Sequence, residues 1–127
     1  MSSIATNSLS KTYGALKAVD GIELNVKSGQ VFGFLGPNGA GKSTTIKLLT
    51  TLIPPTEGKL TILGIDAVKN PLQVRNRIGV VLQQPSYEPT LSVEKSLEKY
   101  GMMWNVPKET RKKRVEELLE EFSLKEI

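Results

Sequence analysis

The stretch "GPNGAGKST" at residues 36–44 limits the possible folds of this chain more than any other. Gly36, Gly41, Lys42 and Ser43 satisfy G-x-x-x-x-G-K-[ST], with Pro37, Asn38, Gly39 and Ala40 filling the interval. The chemistry explains each residue type. A polyphosphate carries several negative charges and needs many donors at once. Backbone N–H groups can supply them only where the chain wraps closely, which requires glycine at special dihedrals. A helix that follows adds unpaired N–H groups and the positive end of its dipole. Lys42 reaches the β and γ phosphates, the Ser43 hydroxyl can ligate Mg²⁺, and Thr44 adds a hydroxyl near the α-phosphate. By chance the bare pattern arises in about one chain of this length in a few hundred.

The flanks agree with such a loop. "QVFGFLG" (30–36) reads as a buried strand, rich in β-branched and aromatic residues. After Gly41 the period changes: Ile46, Leu49 and Ile53 recur at helical spacing, and "IPPTEG" (53–58) ends that helix. Upstream, "IELNV" (22–26) alternates as a half-buried strand. Downstream, "KLTILG" (59–64) and "IGVVLQQ" (78–84) read as strands and "PLQVRNR", opened by Pro71, as a short helix. "PSYEPT" (85–90) is a loop. Ser92 is a candidate N-cap with Glu94 in the first turn, and Gly101 weakens that helix near its end. Pro107 opens a last helix with Val115, Leu118, Leu119 and Phe122 on one face. The order is β-rich, then alternating β and α, then helical, which predicts an α/β core with appended parts.

Composition narrows the chemistry. The chain has 127 residues, no cysteine and no histidine. Disulfides, thiolate metal sites, cysteine nucleophiles and the commonest general base are therefore excluded. The net charge of +4 is mild, and part of it is the cluster Arg111, Lys112, Lys113, Arg114, read as a solvated helix turn. No aromatic residues interleave with it, so no nucleic-acid partner is expected. No apolar run approaches 18 residues.

The wording around the motif is narrower than the motif. "YGALKAVDGIELNVKSGQVFGFLGPNGAGKSTTIKLLTTLIPPTEGKLTILG" resembles the start of an ATP-binding-cassette (ABC) transporter ATPase domain, and the resemblance covers essentially the whole chain. It implies an α/β P-loop NTPase core with an N-terminal antiparallel β part and the start of a helical subdomain. Residues 1–84 would form the β-rich part and loop core, and 85–127 the glutamine loop and helical start. The implied ligands are ATP, held by residues 36–44, and Mg²⁺, held by Ser43 and Gln83. Tyr13 stands where the family stacks an aromatic ring on adenine. Gln83, in "IGVVLQQP", stands where the family carries its metal-orienting glutamine and is the one candidate catalytic residue; Gln84 is the alternative. Leu82 departs from the proline usual there. "PSYEPTLSVEKSL" resembles the segment that touches a transmembrane permease subunit, through about residues 85–97. The resemblance further implies pairing with a second ATPase subunit, a cytoplasmic position at the inner face of the cell membrane, and exporters of the drug- and antibiotic-resistance type.

Other family elements have no match. "LSVEK" (91–95) lacks the Gly-Gly-Gln of the signature LSGGQ, no four apolar residues end in Asp-Glu, and there is no histidine. The chain therefore reads as the N-terminal part of such a domain, truncated before the signature, with hydrolysis by this chain alone not expected. The alternatives are a non-catalytic half-cassette that docks as a decoy, and a non-transport ABC protein.

Overall fold

The computed structural model describes residues 1–81, 83–84 and 87–125, which divide into two compact units, Met1–Val80 and Val81–Ile127. The first unit is built on an antiparallel sheet of β1 (Ser2–Tyr13), β2 (Leu16–Ile22), β3 (Asn25–Lys27), β4 (Glu57–Ile62) and β5 (Ile65–Asp66), in the order β2-β1-β4-β5 with β3 also on β1. β1 is the long central strand. Its N-terminal half pairs with β3, its C-terminal half with β2, and β4 runs along its other edge. Gly14, at φ 56°, turns the chain so that Tyr13 faces Leu16 across the β1–β2 hairpin.

The expected strand at 22–26 is broken, and Thr6 shows why. Its hydroxyl donates to the Ile22 carbonyl at 2.7 Å and accepts from the Leu24 N–H at 2.8 Å. The side chain thus takes up the backbone groups that a continuous ladder would have used, and pairing resumes only at Asn25.

Helix α1 (Lys42–Leu49) follows the glycine-rich loop. Its buried side is Thr45, Leu48 and Leu49, which join Leu9, Val19, Leu60, Ile62, Ala67 and Val74 in the core. Of the predicted line Ile46, Leu49 and Ile53, Leu49 is buried and Ile53 packs against the core, while Ile46 is exposed. The helix also stops before the predicted breaker at Pro54. Thr51 takes φ 59°, its N–H bonds Leu48 O at 3.0 Å, and the Leu52 N–H bonds Lys47 O at 2.9 Å. This is a Schellman end with threonine where glycine is usual. Arg75, at the end of α2 (Pro71–Arg75), holds it by donating Nε to Thr51 Oγ1 at 3.0 Å and Nη2 to Thr51 O at 3.1 Å.

Two predicted strands are not formed. Residues 30–36 and the described part of 78–84 are irregular, with Val31, Leu35 and Val81 almost fully exposed. An apolar, β-branched run becomes a strand only when a neighbour completes its ladder, and no strand among the described residues pairs with either segment. Phe32, Phe34, Leu49, Ile62 and Ile78 instead line an apolar cavity of about 480 Å³ within this unit. Leu82, Pro85 and Ser86 lie outside the described residues.

The second unit is a helix pair, α3 (Val93–Met103) and α4 (Lys108–Glu121). Ser92 caps α3 as predicted, its hydroxyl accepting from the Lys95 N–H at 3.3 Å. Gly101 has a role beyond weakening the helix. A Cβ there would lie 2.5 Å from Arg111 Cδ, so its bare backbone admits the Arg111 stem, whose guanidinium donates to Val106 O at 2.9 Å. On α4, Val115 and Leu119 are buried, while Phe122 lies past the helix end and is exposed. In the basic cluster, Arg114 bonds Glu117 at 3.1 Å. No helix among the described residues is long and apolar enough to cross a membrane.

Candidate functional site

Two glycines shape the loop at 36–41. Gly39 (φ 84°) and Gly41 (φ 88°) are left-handed, and between them the Ala40 N–H closes a turn on Pro37 O at 3.2 Å. At Gly41 a Cβ would lie 2.4 Å from the Ala18 carbonyl oxygen, so β2 presses directly against the loop. Thr45, almost fully buried, fastens the exit: its N–H and hydroxyl both donate to Gly41 O at 2.8 Å.

Gly41 is also the N-cap of α1 and offers no side chain to its first turn. The N–H groups of Lys42, Ser43 and Thr44 have no intrahelical acceptor by helix geometry, and no acidic residue occupies that turn. The loop thus presents backbone donors and the positive end of a dipole to one cleft. That cleft, about 480 Å³, is walled by Leu16, Lys17 and Ala18 of β2 and by Asn38, Gly39 and the residues 41–44. Two lysines line it. The Lys42 ammonium donates to the Gly36 carbonyl within the loop. The Lys17 ammonium sits 2.8 Å from Asp20, whose hydrogen bond and charge hold the lysine pKa above its ordinary value.

Tyr13 stands at the end of β1, about half exposed, with the Lys11 ammonium 5.2 Å from its ring centroid. It is not part of the cleft wall; its cross-strand partner Leu16 is. Gln83 is exposed and belongs to the second unit. Sequence reasoning overlooked Leu16, Lys17, Ala18 and Lys11. The signal was the turn at Gly14, which folds "ALKA" back beside "KTY" and so onto the loop.

Among the described residues no group of three or more His, Cys, Asp or Glu could hold a metal ion. A divalent cation at this loop would therefore take its ligands from the Ser43 hydroxyl, phosphate oxygens and water, a set that suits a hard cation such as Mg²⁺.

Comparison with known proteins agrees with this geometry. The chain is 43% identical over 123 residues to the doxorubicin resistance ATP-binding protein DrrA of Mycobacterium tuberculosis, covering 95% of this chain and 37% of DrrA. It is 44% identical over 94 residues to the bacitracin transport ATP-binding protein BcrA of Bacillus licheniformis, covering 74% of this chain and 31% of BcrA. An ATP-binding subunit of an ABC transporter superposes with a TM-score of 0.82 at 29% identity, over 95% of this chain and 50% of that one. A dimeric ATP-binding cassette in a post-hydrolysis state with ADP and Pi superposes at 0.79 and 29% identity, over 97% and 58%. The chain thus spans about a third of such curated relatives and a little over half of such solved chains. Its fold is the α/β P-loop cassette fold, with the antiparallel β part and the opening of the helical subdomain present. The family model for ABC transporters matches residues 19–127, most of the chain, and on that match this chain belongs to the ABC transporter family.

Proposed function

We propose that this chain is the phosphate-gripping part of an ATP-binding subunit of an exporter-type ABC transporter. The observation that carries the reading is the loop 36–44, in which Gly39 and Gly41 are left-handed and Gly41 leaves no room for a side chain, and which opens an uncapped helix into a cleft with Lys17 and Lys42. The names of the resistance and transport relatives support the exporter class.

In this reading, the N–H groups of residues 39–44 surround the β-phosphate, and Lys42 leaves the Gly36 carbonyl to reach the β and γ phosphates. The Ser43 hydroxyl would hold Mg²⁺. Mg²⁺ would supply charge neutralisation between the phosphates. The ring of Tyr13 takes the adenine. Phosphoryl transfer depends almost wholly on positioned charge, and the loop provides one side of it. Hydrolysis coupled to export would draw its other groups from outside these residues.

About residues 85–97 would be the contact for a membrane permease subunit, as the resemblance of that segment implies. Pairing with a second ATPase subunit and a position on the cytoplasmic face of the membrane complete the reading.

The test is calorimetry with Mg-ATP on the wild type and Lys42→Ala, together with phosphate release. We expect weak binding by the wild type, lowered about tenfold or more in Lys42→Ala because a charge-assisted contact contributes about 1.5–3 kcal/mol. Little turnover is expected of either. Equal affinity in the two proteins would refute the role of Lys42. Robust hydrolysis by the wild type, lost in Lys42→Ala, would show that this chain carries a full catalytic set.

A further inference from the structure

Tyr13 has a companion on one face of its ring. Lys11, two residues earlier on β1, places its ammonium 5.2 Å from the ring centroid. The same ammonium donates to the Pro54 carbonyl at 2.8 Å. Pro54 lies in the loop after α1, and that loop is itself fastened to β1. The Thr12 N–H donates to Thr56 Oγ1 at 3.0 Å, and the Thr56 N–H donates to Ser10 O at 2.9 Å. Lys11 is half-buried. The cation is therefore pinned between a ring and a carbonyl, where a lysine two places from an exposed tyrosine would ordinarily swing in solvent.

Such an arrangement has two consequences for the ring. It occupies one face, so a flat ligand can stack only on the other. It also draws π density toward the occupied face. An electron-rich purine then meets a ring of reduced electron density, an arrangement that favours offset stacking. We propose that Lys11 is a positioning residue for base recognition, fixing Tyr13 and reserving its free face for the nucleobase. The proposal rests on the role given to Tyr13 under the proposed function and adds what orients that ring. Because Pro54 follows α1, the base contact and the phosphate loop become two ends of one connected segment.

The experiment measures the affinity of the full 127-residue chain for ATP and for inorganic tripolyphosphate by NMR titration. The variants are Lys11→Gln, Lys11→Arg, Tyr13→Ala and Lys11→Gln with Tyr13→Ala. Lys11→Gln should bind ATP about two- to fivefold more weakly, the range expected for a partly exposed cation–π contact. Its affinity for tripolyphosphate, which has no base, should not change. Lys11→Arg keeps a cation and a donor and should behave as the wild type. Once Tyr13 is Ala, Lys11→Gln should cost nothing further. Equal losses for both ligands, or the same loss without the ring, would overturn the proposal. A wild type with no preference for ATP over tripolyphosphate would remove the base-binding role of Tyr13 itself, and the proposal with it.

Discussion

Replacing Gly41 by Ala tests the architecture of the phosphate loop most directly. The position has two separable demands. Its φ of 88° is left-handed, which costs an L-residue about 1–2 kcal/mol. The new methyl would also start 2.4 Å from the Ala18 carbonyl oxygen, and that backbone atom must retreat by about 0.6 Å to reach even 3.0 Å. Packed structure resists such insertions at about 1–3 kcal/mol. The sum is about 2–5 kcal/mol, a large share of the roughly 5–15 kcal/mol that stabilises an ordinary domain. Gly39 supplies the internal control. It is left-handed too, at φ 84°, but a Cβ there meets nothing within 4 Å. Gly39→Ala should therefore lose only the backbone part, about 1–2 kcal/mol. Urea unfolding followed by circular dichroism measures both, and their difference isolates the contact with β2. The retreat of Ala18 also moves the wall of the cleft, so Gly41→Ala should lose ATP affinity beyond any loss in Gly39→Ala. A Gly41→Ala protein no less stable than Gly39→Ala would refute the claim that β2 presses on the loop.

Two further outcomes follow from other contacts. Arg75→Ala strands the left-handed Thr51 by removing two charge-assisted hydrogen bonds, and should lower stability by about 2 kcal/mol in urea unfolding; Thr51→Gly in that background should recover part of it. The backbone N–H groups of Lys69 and Val68, Lys69 foremost, hold the Asp66 carboxyl below its ordinary pKa, so the folded state gains from the ionised carboxylate. That gain is present above the unfolded pKa and is lost as pH falls through the lower folded value. The urea midpoint should drop below about pH 4 in the wild type, and by less in Asp66→Asn.

The loop and the start of α1 were legible because glycine at fixed spacing answers a backbone demand that no other residue meets. Pro71 and Ser92 were legible for the same reason, since each marks a helix start through its own covalent structure. The failures share a different cause. Residues 30–36 have strand composition, but a strand is a relation between two segments, and the pairing partner is not in its residues. The end of α1 was misplaced because two prolines advertise a stop, whereas the actual stop is Thr51, held in an unusual conformation by an arginine 24 residues away. At the site, Lys17 was missed because its place beside the loop comes from the β1–β2 hairpin, of which the turn at Gly14 was the only sign, and Lys11 because its partner Pro54 lies 43 residues away.

The bond from Lys42 to the Gly36 carbonyl ties the first residue of α1 back to the entry of the loop, six positions earlier. Lys42 is therefore a latch on the loop as well as a charge beside it, and its loss would loosen the backbone that it crosses.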